Sequence, residues 1–91
     1  MPDRISPNVV FRDLDGEAVL LDLSSGTYFG LNDVGTRVWQ LLHDGRDEAQ
    51  IVATLAAEYD AAPAVIASDV ARLLGDLRSR RLIVEGADGH R

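Results

Sequence analysis

Chemistry in this 91-residue chain would have to start from two histidines, fifteen carboxylates and nine arginines, because cysteine and lysine are both absent. His43 falls near the expected C-terminus of a helix, where a charged imidazole suits the dipole, and His90 lies in the C-terminal tail. The two have no metal-site spacing, and without cysteine every thiolate site is excluded. Asp13, Asp15, Gly16 and Asp22 partly mimic a calcium loop. In that alignment, however, the first ligand position falls on Phe11 and the closing glutamate on Asp22. Gly26, Gly30 and Gly35 are spaced wrongly for a dinucleotide fingerprint, and no phosphate loop, nucleophile elbow or Ser/His/Asp set can be assembled. Catalysis has no candidate residues here, and no cofactor is implied.

Main-chain hydrogen bonding is the chemistry that remains. Thr27-Tyr28-Phe29-Gly30-Leu31 carries no proline, lysine or central charge to blunt a sheet edge. Gly30 leaves a gap in its side-chain cover where another backbone can approach. Such a strand can accept a peptide by β-augmentation, be closed by the C-terminal segment, or pair with a second copy of the chain. Asp69, Arg72, Asp76 and Arg80 fall at i, i+3, i+7 and i+11. They form one stripe of alternating sign, either a solvent face with weak internal pairs or a groove wall.

The elements that must position these groups follow from periodicity. Val9–Arg12 suits a first strand, Asp13–Gly16 a turn, Glu17–Leu23 a second strand, Ser24–Gly26 a second turn and Thr27–Leu31 a third strand. Alternation in the third strand puts Phe29 and Leu31 toward the helices, with Tyr28 and Gly30 on the other face. Asn32 caps a first helix with Val34, Val38, Leu41 and Leu42 at helical spacing and Trp39 beside them as packing, closed by Asp44-Gly45. Asp47 caps a second helix through Ile51, Leu55 and Tyr59. Pro63 opens a third with Ile66, Val70, Leu73, Leu74 and Leu77. Leu82-Ile83-Val84 is a short extended segment, and residues 1–7 and 85–91 are expected to be frayed tails around a domain over 8–84. The fold class is therefore α+β, a three-stranded antiparallel meander followed by three helices, which resembles a rearranged winged helix-turn-helix.

Composition bounds the function. The net charge is −6, which weakens nucleic-acid binding and disfavours anionic membranes. A duplex-binding third helix would show uniform positive charge rather than alternation. There is no apolar run of signal-peptide or membrane-spanning type. The expectation is a soluble, cytoplasmic monomer or weak homodimer.

The run from Val19 to Leu42 contains Leu20-Leu21, Ser24-Ser25-Gly26, the aromatic pair Tyr28-Phe29, Leu31-Asn32, then Gly35 and Trp39. It closely resembles the PqqD-like family. The likeness continues through Asp44-Gly45, Ile51, Leu55, Tyr59, Asp69-Val70, Leu73-Leu74, Leu77 and Leu82-Ile83, covering residues 8–85. It implies a RiPP recognition element, a non-catalytic winged domain that binds the leader of a ribosomally made precursor peptide. The leader is then presented to a modifying enzyme, either a radical-SAM enzyme in a quinone pathway or a leader peptidase and cyclase in a lasso-peptide pathway. The implied contacts are Gly26, Thr27, Tyr28, Phe29, Gly30 and Leu31 on the strand. Across from them stand Asp69, Arg72, Leu73, Asp76 and Arg80 on the third helix. A winged-helix DNA-binding regulator and a dimerisation module using the same sheet edge are the alternatives.

Overall fold

Strand β2 (Val9–Leu14) and strand β3 (Glu17–Asp22) form an antiparallel hairpin in a computed structural model that describes residues 3–85. Its turn is only two residues long. Asp15 and Gly16 both take positive φ, 56° and 84°, the geometry that matches the twist of two antiparallel strands. Asp13 and Leu14, expected in the turn, therefore belong to the strand, and Leu14 pairs with Glu17. Strand β4 (Thr27–Gly30) pairs with β3 through a longer turn closed by Gly26 at φ 72°. The sheet order is β2-β3-β4, as the meander requires.

Asp22 holds that second turn. Its carboxylate accepts hydrogen bonds from the Ser24 amide (3.0 Å), the Ser24 hydroxyl (2.6 Å) and the Ser25 hydroxyl (3.1 Å). These donors, led by the Ser24 hydroxyl, hold the acid below its ordinary value of 3.8 against an opposing effect of desolvation. Between the first two helices, Arg37 donates from Nε (2.9 Å) and Nη2 (2.7 Å) to the two carboxylate oxygens of Glu58 and lowers that acid as well. A group depressed in the folded state stabilises above its unfolded pKa and loses that contribution as pH falls through the folded one. Acid should therefore loosen the domain from just above pH 4 downward. Asp22→Asn is expected to be less stable at neutral pH yet to show a smaller acid-dependent loss, measured by urea midpoints at several pH values.

Three helices follow the sheet, α1 (Asp33–His43), α2 (Glu48–Tyr59) and α3 (Pro63–Ser79), with α1 packed on β3 and α2 packed on α3. Each begins as its sequence demands. The Asn32 side chain accepts from the Gly35 amide, Asp47 and Gln50 form a reciprocal capping box, and Pro63 occupies the first turn of α3. The central inner row of the sheet is Phe11–Leu20–Phe29, set by register. Trp39 lies beneath this row, fully buried, with its ring edge-on to Phe11 at 5.7 Å. Trp39 thus packs, as expected, together with Leu20, Val38, Ile51, Leu55, Val70 and Leu74.

The amino-terminal segment departs from the sequence reading. Residues 1–7 were expected to fray, but Asp3–Ile5 forms strand β1, paired antiparallel with strand β5 (Ile83–Glu85) in a separate ribbon. The cause lies at the end of α3. Arg81 takes a left-handed φ of 60°, and the Leu82 amide donates back to the Leu77 carbonyl at 2.9 Å. This reversal aims Ile83 at Ile5, and the Ser6 amide donates to the Leu82 carbonyl at 3.0 Å. The tail expected from residue 85 accordingly starts no earlier than 86, and residues 86–91 lie outside those described.

Candidate functional site

Leu31 sets the orientation of the whole β4 edge. Its amide donates to the Ala18 carbonyl at 2.8 Å, so its main-chain groups face β3. In an antiparallel ladder this orientation alternates, so Phe29 also faces β3 while the N–H and C=O groups of Tyr28 and Gly30 face outward. Because β4 is an edge of the sheet order, those outward groups form a pairing template two residues deep.

The junction from β4 to α1 is fixed by Thr36. Its hydroxyl accepts from the Ala18 amide at 2.7 Å and donates to the Leu31 carbonyl at 3.3 Å, completing a rung the ladder cannot make directly. Thr36→Val keeps the shape and leaves the Ala18 amide buried without a partner. The expected cost is about 1–3 kcal/mol, seen as a lower denaturation midpoint.

Beside β4 a cleft of about 710 Å³ runs between the β4–α1 junction and α3. Its lining includes Gly30 and Leu31 on one side and Asp69, Arg72, Leu73 and Asp76 on the other. Six of the residues expected from sequence are therefore brought together. Arg80 does not line the cleft; its guanidinium stands over the Phe29 ring at 4.9 Å, and Phe29 is half-buried against the core. Gly26 and Thr27 lie at the turn and strand start, with the Thr27 amide turned to the Ser25 hydroxyl. Tyr28 is 68% exposed on the outer sheet face, away from the helices.

The charged stripe of α3 is internally paired. Arg72 meets Asp69 at 2.8 Å and Arg80 meets Asp76 at 3.3 Å, with Arg80 about half exposed and the other three more so. Exposed pairs of this kind contribute little stability. Both readings of the stripe therefore meet in one surface: self-paired, and also the wall of a cleft.

Asn32, Val34 and Gly35 also line the cleft and were not singled out. Gly35 sits where a Cβ would lie 3.3 Å from both the Asn32 Oδ1 and the Leu31 Cβ, so a side chain there would press on the helix cap. Next to the cleft is a smaller, almost wholly apolar pocket of about 250 Å³. It shares Val34, Asp69 and Leu73 with the cleft and continues to Tyr59, Ala61 and Val65. The usable signal was width: Val34, Tyr59 and Leu73 belong to apolar stripes, yet remain partly accessible beyond the core. Among the described residues no group of three or more metal-ligating side chains is assembled.

The fold is shared with known proteins. The solved structure of TbiB1 in complex with the TbiA(beta) leader peptide is 40% identical, with a TM-score of 0.88 over 93% of this chain and 99% of that one. A lasso peptide synthetase B1 complexed with the leader peptide is 29% identical, with a TM-score of 0.85 over 93% of this chain and 100% of that one. No curated protein sequence matches the chain. The family model for coenzyme PQQ synthesis protein D (PqqD) matches residues 17–83. With an open strand edge, a facing helix and a match across most of its length, this chain belongs to the coenzyme PQQ synthesis protein D (PqqD) family.

Proposed function

We propose that the protein is a non-catalytic recognition element that binds the leader segment of a ribosomally made precursor peptide as an added strand on β4. The observation that carries this is the outward-facing main chain of Tyr28 and Gly30 beside a cleft walled by α3. Main-chain pairing supplies affinity that does not depend on sequence, and flanking pockets supply choice. A strand hydrogen-bonded at Tyr28 and Gly30 turns the residue between those rungs toward the helices. That side chain meets the α3 wall of the cleft, while the adjoining apolar pocket suits an aliphatic or aromatic leader residue outside the rungs at Tyr28 and Gly30.

The contact set is Gly26, Thr27, Tyr28, Phe29, Gly30 and Leu31, with Asp69, Arg72, Leu73, Asp76 and Arg80 across the cleft. Gly30, Leu31 and the middle of α3 are the centre, while Gly26, Thr27 and Arg80 serve the margin. Likeness to two leader-bound proteins, one of them a lasso peptide synthetase B1, supports a lasso-peptide pathway over a quinone pathway. The loaded domain would then present its peptide to a leader peptidase and a cyclase in the cytoplasm, rather than to a radical-SAM enzyme.

Titration with the leader peptide encoded beside this gene tests the reading. A 1:1 complex with amide shifts on residues 28–31 and on α3 is expected. Tight binding that leaves those amides unmoved removes the site assignment, and a mass that doubles with concentration and competes with peptide favours edge-to-edge dimerisation.

A further inference from the structure

Strand addition alone leaves a problem of register. Main-chain bonds are the same for every sequence, and a slip of two residues preserves which side chains face the helices. Something outside the sheet must choose among registers. The α3 wall has the right repeat to do so. Arg72, Asp76 and Arg80 are spaced at i, i+4 and i+8, so they recur about every 6 Å along the helix. Alternate residues of a strand recur about every 6.8 Å. Across three positions the two repeats stay within side-chain reach of each other.

The placement agrees with this match. Gly30 and Leu31 share the cleft with Asp69, Arg72 and Asp76, while Phe29 lies beneath Arg80. Strand β4 and helix α3 therefore run side by side in opposite directions, and an added strand lies along both. In the free protein the stripe is self-neutralised through Asp69–Arg72 and Asp76–Arg80. Those pairs are exposed and exchange partners at little cost. We propose that Arg72, Asp76 and Arg80 select the leader by its order of charge. The preferred strand carries an acid, a base and an acid at alternate positions on its helix-facing side. This rests on the reading of β4 as the leader's partner strand. The order is the same in either chain direction, so it fixes register without presupposing parallel or antiparallel addition.

Complementary charges mainly set specificity and register, and like charges in the same places are repelled. A library of random 15-residue peptides, displayed and sorted for binding, tests the proposal on three forms of the full chain. These are the wild type, the reversed Arg72→Glu/Asp76→Arg/Arg80→Glu and the neutral Arg72→Gln/Asp76→Asn/Arg80→Gln. The wild type should enrich acid-x-base-x-acid, the reversed form base-x-acid-x-base, and the neutral form no charge order. Matched peptides should bind about ten-fold more tightly than mismatched ones, a gap that narrows as salt is added. Pools with the same charge pattern from the wild-type and reversed forms overturn the proposal, provided their peptides shift the Tyr28 and Gly30 amides. Bound peptides that leave those amides unmoved overturn the strand-addition reading itself, and this proposal with it.

Discussion

Gly30→Pro is expected to weaken leader binding by about 10- to 100-fold while the domain stays folded. The Gly30 amide points away from β3, so its loss breaks no rung within the protein. Proline is tolerated on a strand edge for the same reason, and the site has room, since nothing lies within 4 Å of a Cβ built there. What proline removes is a donor to the incoming strand, and its ring occupies the line of approach. Calorimetry with the leader peptide, alongside a circular dichroism melt, separates binding from folding. Unchanged affinity in a folded Gly30→Pro protein would show that the peptide does not pair with β4. Gly30→Ala is a useful companion, because it keeps the amide and asks only whether the peptide backbone approaches closely.

Trp39→Ala should be the most damaging single change to stability, costing about 3–5 kcal/mol. The ring is fully buried under the Phe11–Leu20–Phe29 row and has no surface from which solvent could fill the gap. For a domain whose total stability is on the order of 5–15 kcal/mol, that loss leaves little margin. Trp39 Nε1 is the one buried side-chain polar atom without a hydrogen-bond partner among the described residues. Trp39→Phe therefore discards an unsatisfied donor while opening a smaller void, and should cost clearly less than alanine. Urea unfolding followed by far-ultraviolet circular dichroism measures both, because either substitution removes the only tryptophan. Near-equal losses for the two variants would mean that ring size is not what the core requires.

Much of this architecture was legible because local signals agreed with the tertiary solution. Asn32, Asp47 and Pro63 each mark a helix start, and each does so for a reason confined to a few neighbouring residues. The alternation of Phe29 and Leu31 against Tyr28 and Gly30 likewise assigned the two faces of β4 correctly. Leu82-Ile83-Val84 was legible as an extended segment, but its partner β1 was hidden because three residues are too short for period-two alternation. Their ribbon also depends on Arg81 adopting a conformation that usually signals glycine. At the site, the strand and the stripe of α3 could be read as periodicities. The apolar pocket could not, because it arises where three helices meet, and no single helix records how completely its neighbours cover it.

The ribbon that escaped the sequence reading also governs how the domain can be joined to other chains. Asp3 and Glu85 are direct partners in it, so the backbone enters and leaves at one point. A pair of neighbouring strand positions is only about 5 Å apart, close to the gap that a surface loop already spans. The domain can therefore be spliced into a loop of a larger enzyme without prying that loop open. By the same geometry a circular permutant, with Asp3 and Glu85 joined by a short linker and the chain reopened at the Asp15-Gly16 turn, is expected to fold. Portability of this kind belongs to the topology, independent of which peptide the cleft receives.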